Sequence, residues 1–470
     1  MSSEQGRATA GATGEQGGLR RTLGVRDLMV YGLLFIAPMA PVGVYGVLAA
    51  KSHGAVATVY LVATVAMGFT ALSYAQMVRA VPRTGSVFAY ARAGLGEGPG
   101  FLAGWLAMLD YLLIPAVAYL FAGIALNSLV PGVSRWVWTA LAVLVTTALN
   151  LAGVRTAAAV GFAVLAMELA VLAVFVVAAV VVLARDGAVR GWWTPLTGVG
   201  AFSAGAVLSA VSVAVLSYLG FDAIASFVEE AVGASTAVAR AVLRCLALAG
   251  LLFVAQTYLA ALLDPLDPQQ LAADPAAQGS AFYQAVDTGI GHWLHTLVAA
   301  GKAIGAAFAA LAGQAAAGRL LFAMGREGRL PRRLGTVDRR SGVPRLALLT
   351  AAAVTLAAAL WAARREDGLD QLTSVVDIGA LAAFALLHAS VIGWYAVRQG
   401  SRAWLPHLVV PVLGIAVIVA VIVEAAHTAQ VVGAVWAAAG LAVLALQRGR
   451  GGKPGHVGRG GKPGHVGGAG

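Results

Sequence analysis

Five ionisable residues stand deep inside long apolar stretches of this 470-residue chain: Asp110, Glu168, Asp222, Lys302 and Asp377. A charge in hydrocarbon is costly, so such residues normally face a cavity, pair with one another or lie on an ion path. Carboxylates so placed can hold a substrate ammonium or carry a proton. Asp110 lies eleven residues past Pro99, about 17 Å at ~1.5 Å per residue. That is near the middle of a bilayer, with Tyr111 beside it. Its alternatives are an ammonium contact, a proton carrier and a satisfied packing carboxylate. Glu168 and Lys302 lie about 16 Å and 14 Å into their stretches and are candidates for ion coupling, with a structural Lys302–Glu168 salt bridge as the alternative. Asp222 is either a ligand or the cap of a half-helix that begins beside it. Asp377 lies some way into its own stretch. Carboxylates outnumber the lysine, which makes the interior negative and favours a positively charged solute.

The elements that position these residues are transmembrane helices. The chain is 60% hydrophobic and 11% charged, more apolar surface than a soluble domain can hide. Apolar blocks fall near residues 28–50, 55–79, 99–126, 136–153, 157–184, 203–230, 236–263, 292–324, 345–363, 370–397, 404–424 and 428–447. Most are close to the roughly 20 residues a spanning helix needs. The first 26 residues are polar with no signal-peptide core, so the first block is expected to insert itself. With the N-terminus cytoplasmic, cytoplasmic segments hold 25 of the 32 Lys and Arg, external loops hold six, and Lys302 is the remaining one. The longest external loop has no Lys or Arg but contains Asp264, Asp267, Asp274 and Asp287. This is a positive-inside distribution, so the net charge of +11 reports topology and not a nucleic-acid partner. The expected location is the plasma (inner) membrane, with both termini cytoplasmic.

Two blocks are interrupted at matching places. In the first, Pro38 and Pro41 each remove an amide donor and crowd the preceding turn, so the helix should unwind near Ile36 to Pro41. In the sixth, Ser217-Tyr-Leu-Gly-Phe-Asp places Gly220 and Asp222 at mid-span. Breaks five helices apart pair blocks 1–5 with 6–10, and corresponding interrupted segments point to a transporter's substrate site. A proline kink used only for packing is the alternative for either block alone. The expected site lies between the breaks: Ile36, Ala37, Pro38, Met39, Ala40, Ser217, Tyr218, Gly220, Phe221 and Asp222, with Asp110 and Tyr111 from the third block. Tyr31 and Phe35 are candidate gates, Glu229 and Glu230 candidate gate or surface groups, and Gln256 and Gln314 candidate interhelical hydrogen-bond partners. Between blocks two and three, Pro82 and Gly85 precede an amphipathic stretch expected along the membrane face, and residues 275–290 could form another short interfacial helix.

Several runs resemble the amino acid–polyamine–organocation permeases. Tyr74-Ala-Gln-Met-Val-Arg-Ala-Val-Pro-Arg-Thr-Gly-Ser, continuing through Leu95-Gly-Glu-Gly-Pro-Gly to Trp105, looks like the family signature from the second helix into the third. Tyr218-Leu-Gly-Phe-Asp-Ala-Ile-Ala-Ser-Phe-Val-Glu-Glu resembles its broken sixth helix, and Arg319-Leu-Leu-Phe-Ala-Met-Gly-Arg-Glu-Gly-Arg-Leu-Pro its loop between helices eight and nine. The resemblance spans about 27–447. It implies an all-α membrane protein with a five-plus-five inverted-repeat transporter fold, broken helices one and six, alternating access, and uptake coupled to protons or sodium. Repeats at 27–184 and 203–398 would be followed by two further helices at 404–447. In that fold helices one, five and eight flank the place of a coupling sodium in some relatives, so Lys302 could replace it. Many members carry a Gly-rich first break whose amides hold a substrate carboxylate. Here two of the six residues Ile36–Pro41 are prolines, leaving Ala37, Met39 and Ala40 as donors, and some putrescine importers look similar there.

Other classes fit poorly. Leu219-Gly-Phe-Asp is not the Gly-x-Gly-Asp of intramembrane aspartyl proteases, and there is no His-Glu-x-x-His or phosphate-loop motif. One cysteine, Cys245, excludes a disulfide framework. The Gly-rich tail at 448–470, which repeats Arg-Gly-Gly-Lys-Pro-Gly-His-Val-Gly, has no core to build and is expected to be disordered, like residues 1–26. His456 and His465 lack companion ligands. No enzyme activity, cofactor or metal is expected. The reading is a proton-coupled importer of an amino acid or small amine, protons being favoured over sodium. A channel or non-transporting sensor of the same fold is the alternative.

Overall fold

A computed structural model describes residues 23–82, 87–152, 157–228, 231–232, 234–326, 331–338 and 343–450. Glu229 and Glu230, most of both tails and part of the basic loop after the eighth block lie outside the described residues.

The first block is two helices, α1 (Val25–Ile36) and α2 (Ala40–Lys51), bent by 51° across residues 37–39. Pro41 sits in the first turn of α2, where a missing amide donor costs nothing. Then come α3 (Val56–Ala80), the short amphipathic α4 (Val87–Leu95), α5 (Glu97–Leu129), α6 (Arg135–Ala152), α7 (Ala157–Asp186) and the single turn α8 (Thr194–Thr197). The sixth block is α9 (Ala204–Ala214), tightening into a 3-10 turn at Val215–Tyr218 and resuming as a second at Phe221–Phe227. Gly220 carries the break with φ +110°, a conformation that side chains resist. The seventh block is α10 (Ala234–Leu263), followed by the short helices α11 (Pro268–Ala273), α12 (Pro275–Gln278) and α13 (Ala281–Gly289). Finally α14 (His292–Arg326), α15 (Arg345–Ala363), α16 (Gly368–Val391), α17 (Val410–Glu424) and α18 (His427–Arg450) complete the chain.

Among the described residues ten helices are long and apolar enough to cross a membrane, and the bent α1–α2 pair makes an eleventh. The interrupted sixth block, whose helical part Ala204–Tyr218 is shorter, makes twelve. No strand occurs among the described residues.

The broadest helix pairings join α3 to α10 and α5 to α14. Each pair links blocks five apart, as a five-plus-five repeat requires. Small residues allow the approach: a Cβ added to Gly250 on α10 would stand 2.6 Å from Thr64 on α3, and one on Gly313 of α14 would meet Pro115 of α5 at 3.0 Å. In contrast α6, α17 and α18 turn apolar side chains outward, with Leu144, Val423 and Leu446 each more than 60% exposed. Those faces meet lipid.

Candidate functional site

The two breaks touch. A Cβ on Gly220 would lie 2.9 Å from the Phe35 carbonyl carbon, so the sixth-block break is seated directly on the last turn of α1. Unwinding at 37–39 frees carbonyls that must find donors where water is scarce. They find side chains from two other helices. Gln256 Nε2 of α10 donates to the Pro38 carbonyl at 3.0 Å, and Lys302 Nζ of α14 donates to the Met39 carbonyl at 3.0 Å. The Lys302 ammonium also lies 4.8 Å above the Phe121 ring, a second favourable contact for a desolvated cation. Glu168 of α7 is its nearest charge partner. No salt bridge of 4.0 Å or less joins the two, so the ammonium is anchored on backbone first and balanced by the carboxylate second.

Of the three amides left as donors by the prolines, two are consumed within the chain. Ala37 N–H donates to Leu33 at 3.0 Å and Ala40 N–H to Ala37 at 2.8 Å. Ala37 does so at φ +57° and ψ 104°, an uncommon conformation for a residue with a Cβ. Only the Met39 amide stays uncommitted among them.

The expected residues form two groups. Ile36, Ala37 and Ala40 join Glu168, Lys302, Phe35, Leu216 and Leu219 around a cavity of about 80 Å³ between the breaks, α5, α7 and α14. Asp110, Tyr111 and Asp222 belong to a second, acidic group. Asp110 and Asp222 are close enough to feel each other's charge, and Asp377 of α16 is in turn close to Asp110. Asp110 Oδ1 is buried without a hydrogen-bond partner, and the buried Asp377 carboxylate lies against the Leu216 backbone. Asp222 accepts from Tyr74 Oη at 3.4 Å and lies against the backbone of Gly220 and Ala223 while facing the other acids. Tyr74 meets Tyr90, Phe221 and Phe384 edge-on, with ring centres about 6 Å apart. Acids walled by aromatic rings are a surrounding that suits an organic cation.

Ser217 and Tyr218 face α3. Ser217 Oγ is 2.8 Å from Tyr60 Oη, and Tyr218 Oη is 2.6 Å from Thr64 Oγ1; both residues are fully buried in that interface. Tyr31 stacks on Phe227 at 5.2 Å, with Phe35 alongside it. This aromatic group sits where α1 meets the second half of the sixth block.

Comparison with known proteins agrees with this architecture: residues 28–445 match the family described as amino acid permease. The chain belongs to the amino acid permease family. The permease is 28% identical over 448 residues to the low-affinity putrescine importer PlaP of Escherichia coli, covering 91% of this chain and 93% of that one. It is 28% identical to the branched-chain amino acid permease BcaP of Lactococcus lactis, over 82% and 84% of the two chains. An uncharacterized transporter of Mycobacterium tuberculosis is 31% identical over 84% of each.

Sequence reasoning did not place several neighbours of the acidic group. Tyr74 and Tyr90 occur in the signature run, whose pattern does not show that they stand beside Asp222. From α16 come Phe384, against Tyr74 and Phe221, and Asp377, close to Asp110 of α5. His388, deeper in α16, is bonded to Ser73 at 2.8 Å and is a packing group. Its signal, a histidine within an apolar block, was present.

Proposed function

We propose that this permease imports a small organic cation, an amine-bearing amino acid or polyamine, by proton-coupled alternating access. The observation that carries this reading is the clustering of three acids, Asp110, Asp222 and Asp377, close enough to feel one another's charge, with Asp110 Oδ1 buried without a hydrogen-bond partner. Buried charge of one sign needs a counter-charge, and a substrate ammonium would supply it. Kinship with a putrescine importer along nine-tenths of both chains supports an amine. An ordinary α-carboxylate would meet one uncommitted amide, that of Met39, in the first break.

Asp110 is assigned the first ammonium contact and Asp377 a second, with Tyr111 and Phe221 beside them. Lys302 and Glu168 are assigned to coupling: the ammonium occupies the unwound carbonyl where a metal cation would otherwise bind, and proton movement between the pair would release it. Alternating access is supported by an asymmetry in packing. Residues 41–50 of α2 are all buried and α2 packs against α11, α12 and α13, whereas Phe35 on α1 is 44% exposed. The protein is therefore sealed on the α2 side and looser on the α1 side. The charge distribution supports cytoplasmic termini, which makes the sealed side external. The repeats are assigned to 27–184 and 203–398.

Uptake into proteoliposomes of diamines and amino acids, under imposed proton or sodium gradients, tests the reading. Asp110→Asn should raise KM for a diamine about 10- to 100-fold, from the ~1.5–3 kcal/mol of a charge-assisted hydrogen bond, while folded yield is retained. Unchanged amine transport in that variant, or transport of neutral amino acids with amines ignored, rejects it. Counterflow exchange separates a carrier from a channel or sensor of the same fold, neither of which exchanges substrate.

A further inference from the structure

The external elbow between α13 and α14 brings together three side chains that transport chemistry does not use. Asp287 comes from the last turn of α13, and His292 and His295 from the first turn of α14. Three residues apart on a helix, the two histidines share a face, and their ring centres are 5.2 Å apart. His292 Nδ1 is 3.1 Å from Asp287 Oδ1. One ligand atom from each of the three lies within 4.8 Å of the others.

A second observation separates this cluster from an ordinary polar loop. His295 is only 6% exposed, and its Nδ1 is buried without a hydrogen-bond partner. A buried ring nitrogen left without a partner is uncommon, because an unmade hydrogen bond costs about 1–3 kcal/mol. The ring is held edge-on against Tyr283, with centres 6.1 Å apart, so it is oriented before any ligand arrives. His292 and Asp287 have side chains 79% and 46% exposed and are free to turn toward it.

We propose that Asp287, His292 and His295 form a binding site for a borderline divalent transition ion of the Zn²⁺ class. Two imidazoles and one carboxylate suit zinc, copper or nickel better than magnesium or calcium, which prefer oxygen ligands. Metal bonds of about 2.0–2.2 Å in a tetrahedral arrangement need the ligand atoms somewhat closer than they now stand. Rotation of the two exposed side chains onto the fixed His295 supplies that closure, and the fourth position stays open to water.

The site ties two moving parts together. Phe282 of α13 packs edge-on against Tyr45 of α2 at 5.6 Å and against Phe175 of α7 at 5.2 Å. His295 stands seven residues before Lys302 on α14. A bound ion would thus pin the covering helix α13 to the helix that carries the coupling lysine.

The test uses the full chain, purified without a polyhistidine tag and carrying His456→Asn and His465→Asn to silence the tail. Zinc chloride is titrated by calorimetry in excess magnesium chloride. The expected result is saturable binding of one Zn²⁺ per chain, weakened at least about 100-fold, the upper end of what loss of even an outer partner costs, by His295→Ala and by the pair Asp287→Asn with His292→Asn. Absence of saturable binding overturns the proposal, as does binding that survives the Asp287/His292 pair. That pair alters exposed positions only, so it decides the matter even where His295→Ala fails to fold.

Discussion

Replacing Lys302 by methionine removes an ammonium from the one place where unwound backbone, an aromatic ring and a buried carboxylate converge. Three losses follow. The Met39 carbonyl, in a residue 1% exposed, loses its side-chain donor but keeps the Val42 amide at 3.2 Å; its share is at the low end of the ~1–3 kcal/mol for an unmet buried acceptor. The contact with Phe121 accounts for about 0.5–2 kcal/mol, part of which the methionine sulfur restores. The largest share is the stranded charge of Glu168, 3% exposed, since breaking a buried pair by removing one partner costs about 3–5 kcal/mol. Together the single variant should lose roughly 4–6 kcal/mol. The double variant Lys302→Met with Glu168→Gln no longer buries a lone carboxylate and should lose only about 1–2 kcal/mol. The single variant should therefore lie about 3 kcal/mol below the double in stability. Thermal unfolding of the solubilised protein, followed by size-exclusion recovery, reads this as a large drop for the single variant and substantial recovery for the double. Proton-driven accumulation should be abolished in both, while counterflow exchange survives in the double. Equal destabilisation of single and double variants would show that a stranded Glu168 charge is not what destabilises the single one. Proton-driven accumulation intact in Lys302→Met would refute the coupling assignment.

Two further expectations concern the breaks. Gly220→Ala combines φ +110° with a Cβ placed 2.9 Å from the Phe35 carbonyl carbon and 3.0 Å from its oxygen; backbone strain and overpacking each cost about 1–3 kcal/mol, so folded yield in membranes should fall sharply, and wild-type yield and Tm would contradict the close seating of the two breaks. Ala37→Gly relieves a left-handed residue at about 1–2 kcal/mol and adds chain entropy worth about 0.5–1 kcal/mol to the unfolded state, leaving a net gain between zero and about 1 kcal/mol. Its Tm should equal or slightly exceed wild type, and a clear loss would show that Ala37 is held by contacts that its φ does not reveal.

How much of this was legible in the sequence depends on the coordinate asked for. Depth along a helix follows from a fixed rise, so the blocks lie within a few residues of the observed spans; 345–363 coincides with α15, and 292–324 with all but the end of α14. Azimuth around a helix is another matter. A soluble helix shows its inward face as an apolar stripe, but α5 and α14 are apolar nearly all round because lipid and core are equally nonpolar. Nothing in the local pattern distinguishes the direction of Asp110 from that of Lys302. One expected site therefore separates into a cavity around Glu168 and Lys302 and an acidic group around Asp110, Asp222 and Asp377. The same blindness hid the turn of Ser217 and Tyr218 toward α3, because hydroxyl groups beside a break serve packing and binding equally well.

One part of the azimuth was nevertheless recoverable from demand. A helix that unwinds at mid-depth leaves carbonyls that water cannot reach, and each must be met by a donor from another helix. The prolines at 38 and 41 announce that demand at a known depth. Donor side chains at comparable depth on other helices are few, and Gln256 and Lys302 are two of them. They are the residues found on the Pro38 and Met39 carbonyls. Polar side chains inside an apolar block thus carry directional information once they are set against the backbone groups that a break elsewhere leaves unpaired. On that argument Lys302 points at the first break for a structural reason, and any coupling function it performs is exercised from that anchored position: to let go of the Met39 carbonyl is to change the shape of the break.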